Sequence, residues 1–209
     1  MTSAELLAYC RTRLDDLVGT DSTRMFPDSE VYGYLSDCQE TVAAETLVLR
    51  GNYTLTLTAT TSEVSHNAAI LRVDDAIYTR SSVVKRLYQV MPEELPLTIS
   101  AGDPGYFSIA ANPGYVSFDA APEADASIKL RVRRMPTNAI SAVNQPEIPA
   151  SYHRRLVNGV LGYAFAKPDV ETYNINKSMT YFKLFAQDIE AIKRMDLQLH
   201  KHGLRFRYV

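Results

Sequence analysis

Residues 52–60 read Asn52-Tyr53-Thr54-Leu55-Thr56-Leu57-Thr58-Ala59-Thr60. Tyr53, Leu55, Leu57 and Ala59 alternate with Thr54, Thr56, Thr58 and Thr60. A period of two predicts a strand with one apolar face and one threonine face. The sequence on the N-terminal side of this stretch repeats with a helical period instead, and so does the C-terminal third of the chain. The stretch therefore marks the point where a block of strands enters an otherwise helical protein.

Toward the N-terminus, Val31, Tyr34, Leu35, Cys38, Val42 and Leu49 form one helical stripe, as an amphipathic helix requires. Asp28 is the expected N-cap, Glu30 sits in the first turn where the helix dipole favours an acid, and Gly51 is the expected stop. Further back, Thr2-Ser3-Ala4-Glu5 reads as a capping box. Leu6, Cys10, Leu14 and Leu17 follow at helical spacing, and Gly19 is a stop signal. Asp15 and Asp16 fall off that stripe and are expected to face solvent. A polar loop runs on to Pro27.

Toward the C-terminus, strands are expected over 71–79, where Asp74-Asp75 blurs the alternation, and over 86–90. Pro92-Glu93-Glu94-Leu95 predicts a short helical turn. Asp103-Pro104-Gly105 and Asn112-Pro113-Gly114 are turn signals, because Pro presets φ and Gly frees it. Tyr106 to Ala110 and Tyr115 to Phe118 are short, aromatic strand candidates. In the last strand Ile128, Leu130 and Val132 point one way, and Lys129, Arg131 and Arg133 the other. Such a meander suits a small antiparallel sandwich or partial barrel. Pro136 closes it, and 137–148 read as a linker with few structural demands.

Pro149 suits the first turn of a third helix, with Tyr152, Leu156, Val160, Leu161, Ala164 and Phe165 as its stripe. Gly159 and Gly162 lie inside it, each costing about 1 kcal/mol against Ala. Close approach of a neighbouring helix or subunit would justify them. Pro168 ends this segment. Asn174 is placed to cap a fourth helix carrying Phe182, Phe185, Ile189 and Ile192. The apolar pattern decays after Met195 into a basic, aromatic end, Leu199-His200-Lys201-His202-Gly203-Leu204-Arg205-Phe206-Arg207-Tyr208-Val209. The fold class expected is thus α+β. A helical bundle is built from N- and C-terminal helix pairs (residues 1–51 and 149–198). An antiparallel β domain (52–136) is inserted, with a linker (137–148) and an extended C-terminal tail (199–209).

The chain has 209 residues, 46% of them hydrophobic and 22% charged, with a formal net charge of −2. A chain of that size buries a core without disulfides or metals. The near-neutral balance excludes a polycation, so any nucleic-acid contact must be local. Cys10 and Cys38 fall on apolar helix faces and are expected to be buried, reduced thiols of a cytosolic setting. No basic stretch followed by an apolar core opens the chain, and no run approaches the roughly 20 apolar residues of a membrane span. A soluble setting without membrane is expected.

Chemistry is sparse. His66, His153, His200 and His202 lack the cysteine or carboxylate neighbours that a metal site needs. His153, beside Arg154 and Arg155, reads as a partly exposed surface residue. Gly-x-Ser-x-Gly is absent, and Gly102-Asp103-Pro104-Gly105 lacks the Lys-Ser/Thr ending of a phosphate loop. The acid pairs Asp15/Asp16, Asp74/Asp75 and Glu93/Glu94 point apart and read as solvated faces. No enzyme, cofactor or metal is expected. Two surfaces remain as binding candidates. One is the tail, with Lys201, Arg205, Phe206, Arg207 and Tyr208 alternating charge and aromatic ring as a strand added to a partner's sheet edge would; the alternative is a disordered terminus. The other is the strand face of Lys129, Arg131, Arg133 and Arg134, either an ordinary exposed face or one directed at acidic partners or DNA phosphates.

The order of motifs resembles the head-to-tail adaptor (connector) proteins of tailed bacteriophages. The resemblance runs over nearly the whole chain. It rests on Phe26-Pro27-Asp28-Ser29-Glu30-Val31 and Tyr34-Leu35-Ser36-Asp37-Cys38-Gln39, then the Thr-Leu-Thr-Leu strand and Ile70-Leu71-Arg72-Val73. Further on it rests on Gly105-Tyr106-Phe107, Leu130-Arg131-Val132-Arg133-Arg134-Met135-Pro136, Pro146-Glu147-Ile148-Pro149-x-x-Tyr152-His153 and Glu171-Thr172-Tyr173-Asn174. It departs at Phe26, where Trp is common, at Ser36, where Asn is, and at Pro168. The resemblance implies a structural protein of the virion neck, assembled in the host cytoplasm. It implies a homo-oligomeric ring, dodecameric in the family's usual pattern, bound beneath the portal protein. The ring would dock tail-tube, nozzle or other tail proteins and continue the channel for double-stranded DNA. The alternatives are a DNA-contacting module of the neck, or another neck or tail-tube component. Thirteen tyrosines suit such contacts, since Tyr offers a large area at little entropy cost.

Overall fold

The computed structural model describes residues 1–16, 25–66, 69–109, 114–168 and 173–204. The chain divides into two compact units: Met1–Leu49 with Pro136–Val209, and Arg50–Met135. The described residues form an α+β protein with four α-helices and a mostly antiparallel, nearly closed sheet.

The first unit carries all four helices. Helix α1 (Ser3–Leu14) opens on the expected capping box, with Glu5 N donating to Thr2 Oγ1 and Thr2 N to Glu5 Oε2 at 2.8 Å. It stops at Leu14, where Asp15 turns left-handed (φ 58°) and returns its N–H to the Arg11 carbonyl. Leu17 and Gly19 lie outside the described residues. Helix α2 (Asp28–Thr46) departs from expectation at both ends. Pro27, not Asp28, occupies the N-cap. The Asp28 carboxylate reaches Arg11 of α1. At the other end Leu47 (φ 54°) closes the helix, so Gly51 is part of the first strand.

A 3₁₀ segment, Ala150–Arg155, precedes helix α3 (Leu156–Ala166). Helix α3 is apolar nearly all round, as a helix enclosed by others must be. It packs against α1, α2 and helix α4 (Ile175–Leu204). Asn174 Oδ1 accepts from Lys177 N at the start of α4. Phe185, Ile189 and Ile192 are buried along its inner side. The helix runs on to Leu204, so the segment from 199, expected to be extended, starts as helix. Residues 205–209 are outside the description.

The segment expected to be an undemanding linker is tightly held. Ile140 and Ile148 are each 2% exposed. Ile140 N donates to Ser36 Oγ at 2.8 Å and Glu147 N to Gln39 Oε1 at 2.6 Å. The Glu147 carboxylate accepts from Thr137 N and Asn138 N. Polar side chains of α2 thus satisfy backbone groups that burial would otherwise leave unpaired.

The second unit is a sheet of order β1-β9-β3-β4-β6-β7-β2. Its strands are β1 (Arg50–Leu57), β2 (Glu63–Ser65), β3 (Ile70–Arg80), β4 (Val83–Gln89), β6 (Tyr106–Ser108), β7 (Tyr115–Phe118) and β9 (Ala126–Arg134). The short β5 (Ser100–Ala101) and β8 (Ala120–Ala121) pair separately. The turn at Pro92–Glu94 is 3₁₀ as expected. Two pairings, β4 with β6 and β5 with β8, are parallel, where an all-antiparallel meander was expected. The β4–β6 connection makes this possible, because 90–105 cross over instead of forming a hairpin. In β1, Tyr53, Leu55 and Leu57 face inward and the threonines outward. Asp74 and Asp75 fall at a register shift between β3 and β9, a bulge that adds a residue and breaks the alternation. The core gathers Leu57, Tyr78, Leu87, Phe107, Val116, Phe118, Ile128 and Leu130.

Candidate assembly surfaces

Two of the interior groups identify themselves as structural. Cys10 and Cys38 are free and fully buried. Burial pushes the Cys10 thiol up to about 12, only partly opposed by Arg11. Burial likewise raises Cys38, with Cys10 and Asp37 adding to the effect. Neither is a nucleophile in this state, since the thiolate is the reactive form. Among the described residues no group of three or more His, Cys, Asp or Glu side chains could hold a metal ion.

His153 is a correction. It is 5% exposed, not at the surface. Its Nδ1 lies 2.9 Å from the Met1 carbonyl oxygen and its Nε2 2.8 Å from that of Ile148. The imidazole therefore ties the start of the chain and the Pro146–Pro149 loop to the 3₁₀ segment. Spacing alone could not reveal this, because both partners are backbone carbonyls and one of them, that of Met1, is 152 residues away.

Arg11 and Asp16 form a second buried group that sequence reasoning missed. Arg11 Nη1 lies 2.7 Å from Asp16 Oδ2, with the two side chains 5% and 9% exposed. The Arg11 guanidinium also reaches the Asp28 carboxylate and donates to the Phe26 carbonyl. Asp16 was expected in solvent; the left-handed Asp15 swings the chain back so that it meets Arg11.

The basic strand face divides. Lys129 and Arg131 are exposed, and within the described residues neither is in an ion pair. Arg133 is 9% exposed and its Nε lies 2.6 Å from Asp74 Oδ2. Arg134 bonds the Met135 carbonyl. The bulge is the cause: it shifts Asp74 onto the side where Arg133 points. Asp75 stands opposite Arg131 in register and pairs with Arg86, whose Nε is 2.8 Å away. The acid pair therefore anchors neighbouring arginines and is not a solvated face. Of the tail candidates, Lys201 lies on the last turn of α4; Arg205, Phe206, Arg207 and Tyr208 are outside the described residues.

Large apolar groups are exposed in their place. In the sheet unit Val84 (66%), Tyr88, Met91 and Leu97 (104%) face solvent, and the rings of Tyr88 and Tyr106 stand 6.2 Å apart. On the helical unit Met179, Leu184 and Leu197 of α4 are exposed. Exposed apolar side chains of this size are candidates for contact with other macromolecules.

A protein whose buried charges are held in structural pairs, and whose outward faces carry large apolar side chains, fits the class that works by assembly. Residues 1–203 match the SU10 adaptor protein family, and the chain belongs to that family of phage head-to-tail adaptors. No curated protein matches it significantly. Its role is accordingly structural.

Proposed function

We propose that this chain forms a homo-oligomeric ring beneath the portal protein, docks tail proteins on its far side and continues the channel for double-stranded DNA. The match of residues 1–203 to a head-to-tail adaptor family carries this reading. The exposed Val84, Tyr88, Met91 and Leu97 on the sheet unit support it as a docking surface for portal or tail proteins. The C-terminal candidates, Lys201, Arg205, Phe206, Arg207 and Tyr208, would dock on the portal. The alternative of a DNA-contacting module has weaker support. Lys129 and Arg131 are left on the exposed strand face, while Arg133 is held by Asp74 and Asp75 faces Arg131.

Light scattering after size exclusion, with and without purified portal rings, tests the reading. Co-elution with the portal in a fixed ratio is expected. Absence of any portal complex under assembly conditions refutes it.

A further inference from the structure

Three helix-interior glycines call for a reason, since each costs about 1 kcal/mol against alanine. Two have one inside the chain. A Cβ on Gly159 would collide with Cys38 Sγ, and one on Gly162 would lie 2.8 Å from the Phe182 ring. Gly33, in the second turn of α2, has none: nothing lies within 4 Å of where its Cβ would be. It sits in a groove of about 610 Å³. One wall is the outward stripe of α2, containing Ser29, Tyr32, Gly33, Ser36, Asp37 and Glu40; the other is the loop of Ala139, Ile140 and Ala142. The Ser36–Ile140 hydrogen bond fixes the two walls together, so the groove is preformed.

The outward stripe of α4 has the same spacing. Lys183, Ala186, Gln187, Glu190, Ala191 and Arg194 step along the helix at i, i+3, i+4, i+7, i+8 and i+11, as the α2 stripe does. Its two outer positions are cations, Lys183 and Arg194, roughly 16 Å apart along the axis, and within the described residues neither has an ion-pair partner. The α2 stripe runs from Ser29 to the acid Glu40 over the same length, and Asp28, 37% exposed and paired with Arg11, stands beside its Ser29 end. Small residues lie in both stripes, Gly33 and Ser36 in α2 and Ala186 and Ala191 in α4, and these let two helices approach closely.

Resting on the ring reading above, we propose that the groove over Gly33 receives the outward stripe of α4 from a second copy of this chain, with the two helices antiparallel. In that orientation Lys183 meets Glu40, Arg194 reaches the Ser29 end beside Asp28, and Gly33 faces the Glu190–Ala191 step. A parallel orientation would set Glu190 opposite Ser36 and next to Asp37, bringing like charges together. The contact joins two different faces, so it is heterologous, and each copy keeps one groove and one stripe for its neighbours. Such a contact propagates from copy to copy and forms a ring when its rotation closes, as the ring reading requires.

Sedimentation velocity over a concentration series on the full chain tests this, using Gly33→Ala, Glu40→Lys, Lys183→Glu and the pair Glu40→Lys with Lys183→Glu. Gly33→Ala fills open space, so it should raise the monomer's melting temperature while weakening self-association. A purely structural glycine would give only the first effect. Each charge reversal should weaken association about tenfold, and the combined reversal should restore most of it. A wild-type chain that remains monomeric at every concentration overturns the proposal. So does an oligomer indifferent to all four variants. Portal co-elution, measured in parallel, separates these failures from failure of the adaptor reading itself.

Discussion

Cys38 Sγ occupies the space in which a side chain at Gly159 would begin. Helix α2 thus meets α3 at a point where one residue has no side chain and the other has a small, soft one. Phe185 of α4 closes the same point from another side, 3.1 Å from that position. Gly159→Ala should therefore destabilise. The roughly 1 kcal/mol gained in helix propensity is smaller than the overpacking cost of up to about 3 kcal/mol. Gly33→Ala, in open space, should stabilise by about 1 kcal/mol. Urea denaturation of both variants should give shifts of opposite sign; shifts of the same sign would contradict the packing described.

Arg11 is the buried cation that joins α1 to the segment ahead of α2. Arg11→Ala leaves Asp16, 9% exposed, without its partner. A loss of about 3–5 kcal/mol is expected in equilibrium unfolding. Adding Asp16→Ala should recover part of that loss, because the stranded carboxylate is then gone. If the double variant is as unstable as the single one, the desolvated carboxylate is not the source of the cost.

The Cys10 thiol, ordinarily near 9.0, is held up to about 12 by burial. The unfolded chain loses this proton first as pH rises, so the folded state binds more protons between the two values. The contribution to stability is complete below pH 9.0 and is lost as pH climbs toward 12. Melting temperature should accordingly fall above pH 9.0 less steeply for Cys10→Ala than for the parent chain. Thiol labelling of the native protein at pH 8 should be negligible and should follow global unfolding; rapid native labelling would mean the site is open.

Deletion of residues 200–209 should leave the monomer folded. The buried inner side of α4 rests on Phe185, Ile189 and Ile192, all before the cut. Circular dichroism and melting temperature should be close to those of the full chain, while portal binding should weaken. Undiminished portal binding would remove the C-terminal residues from the docking surface.

The local pattern determined which segments are helix and which are strand. The Thr2–Glu5 capping box, the stripes of α2 and α4 and the alternation at 53–57 all depend on contacts within a few residues, so they can be read from spacing. Tertiary structure alone decided where charged and polar side chains go. Arg133 reads as exposed by parity in its strand, yet a bulge in β3, across the ladder, brings Asp74 to it. His153 and the 137–148 segment read as surface, yet their partners are the Met1 and Ile148 carbonyls and the α2 side chains Ser36 and Gln39. Periodicity reports the side of an element on which a residue lies. Whether that side meets water or another part of the chain is fixed only when distant segments come together, because a buried polar group is stable only beside the partner that replaces its water.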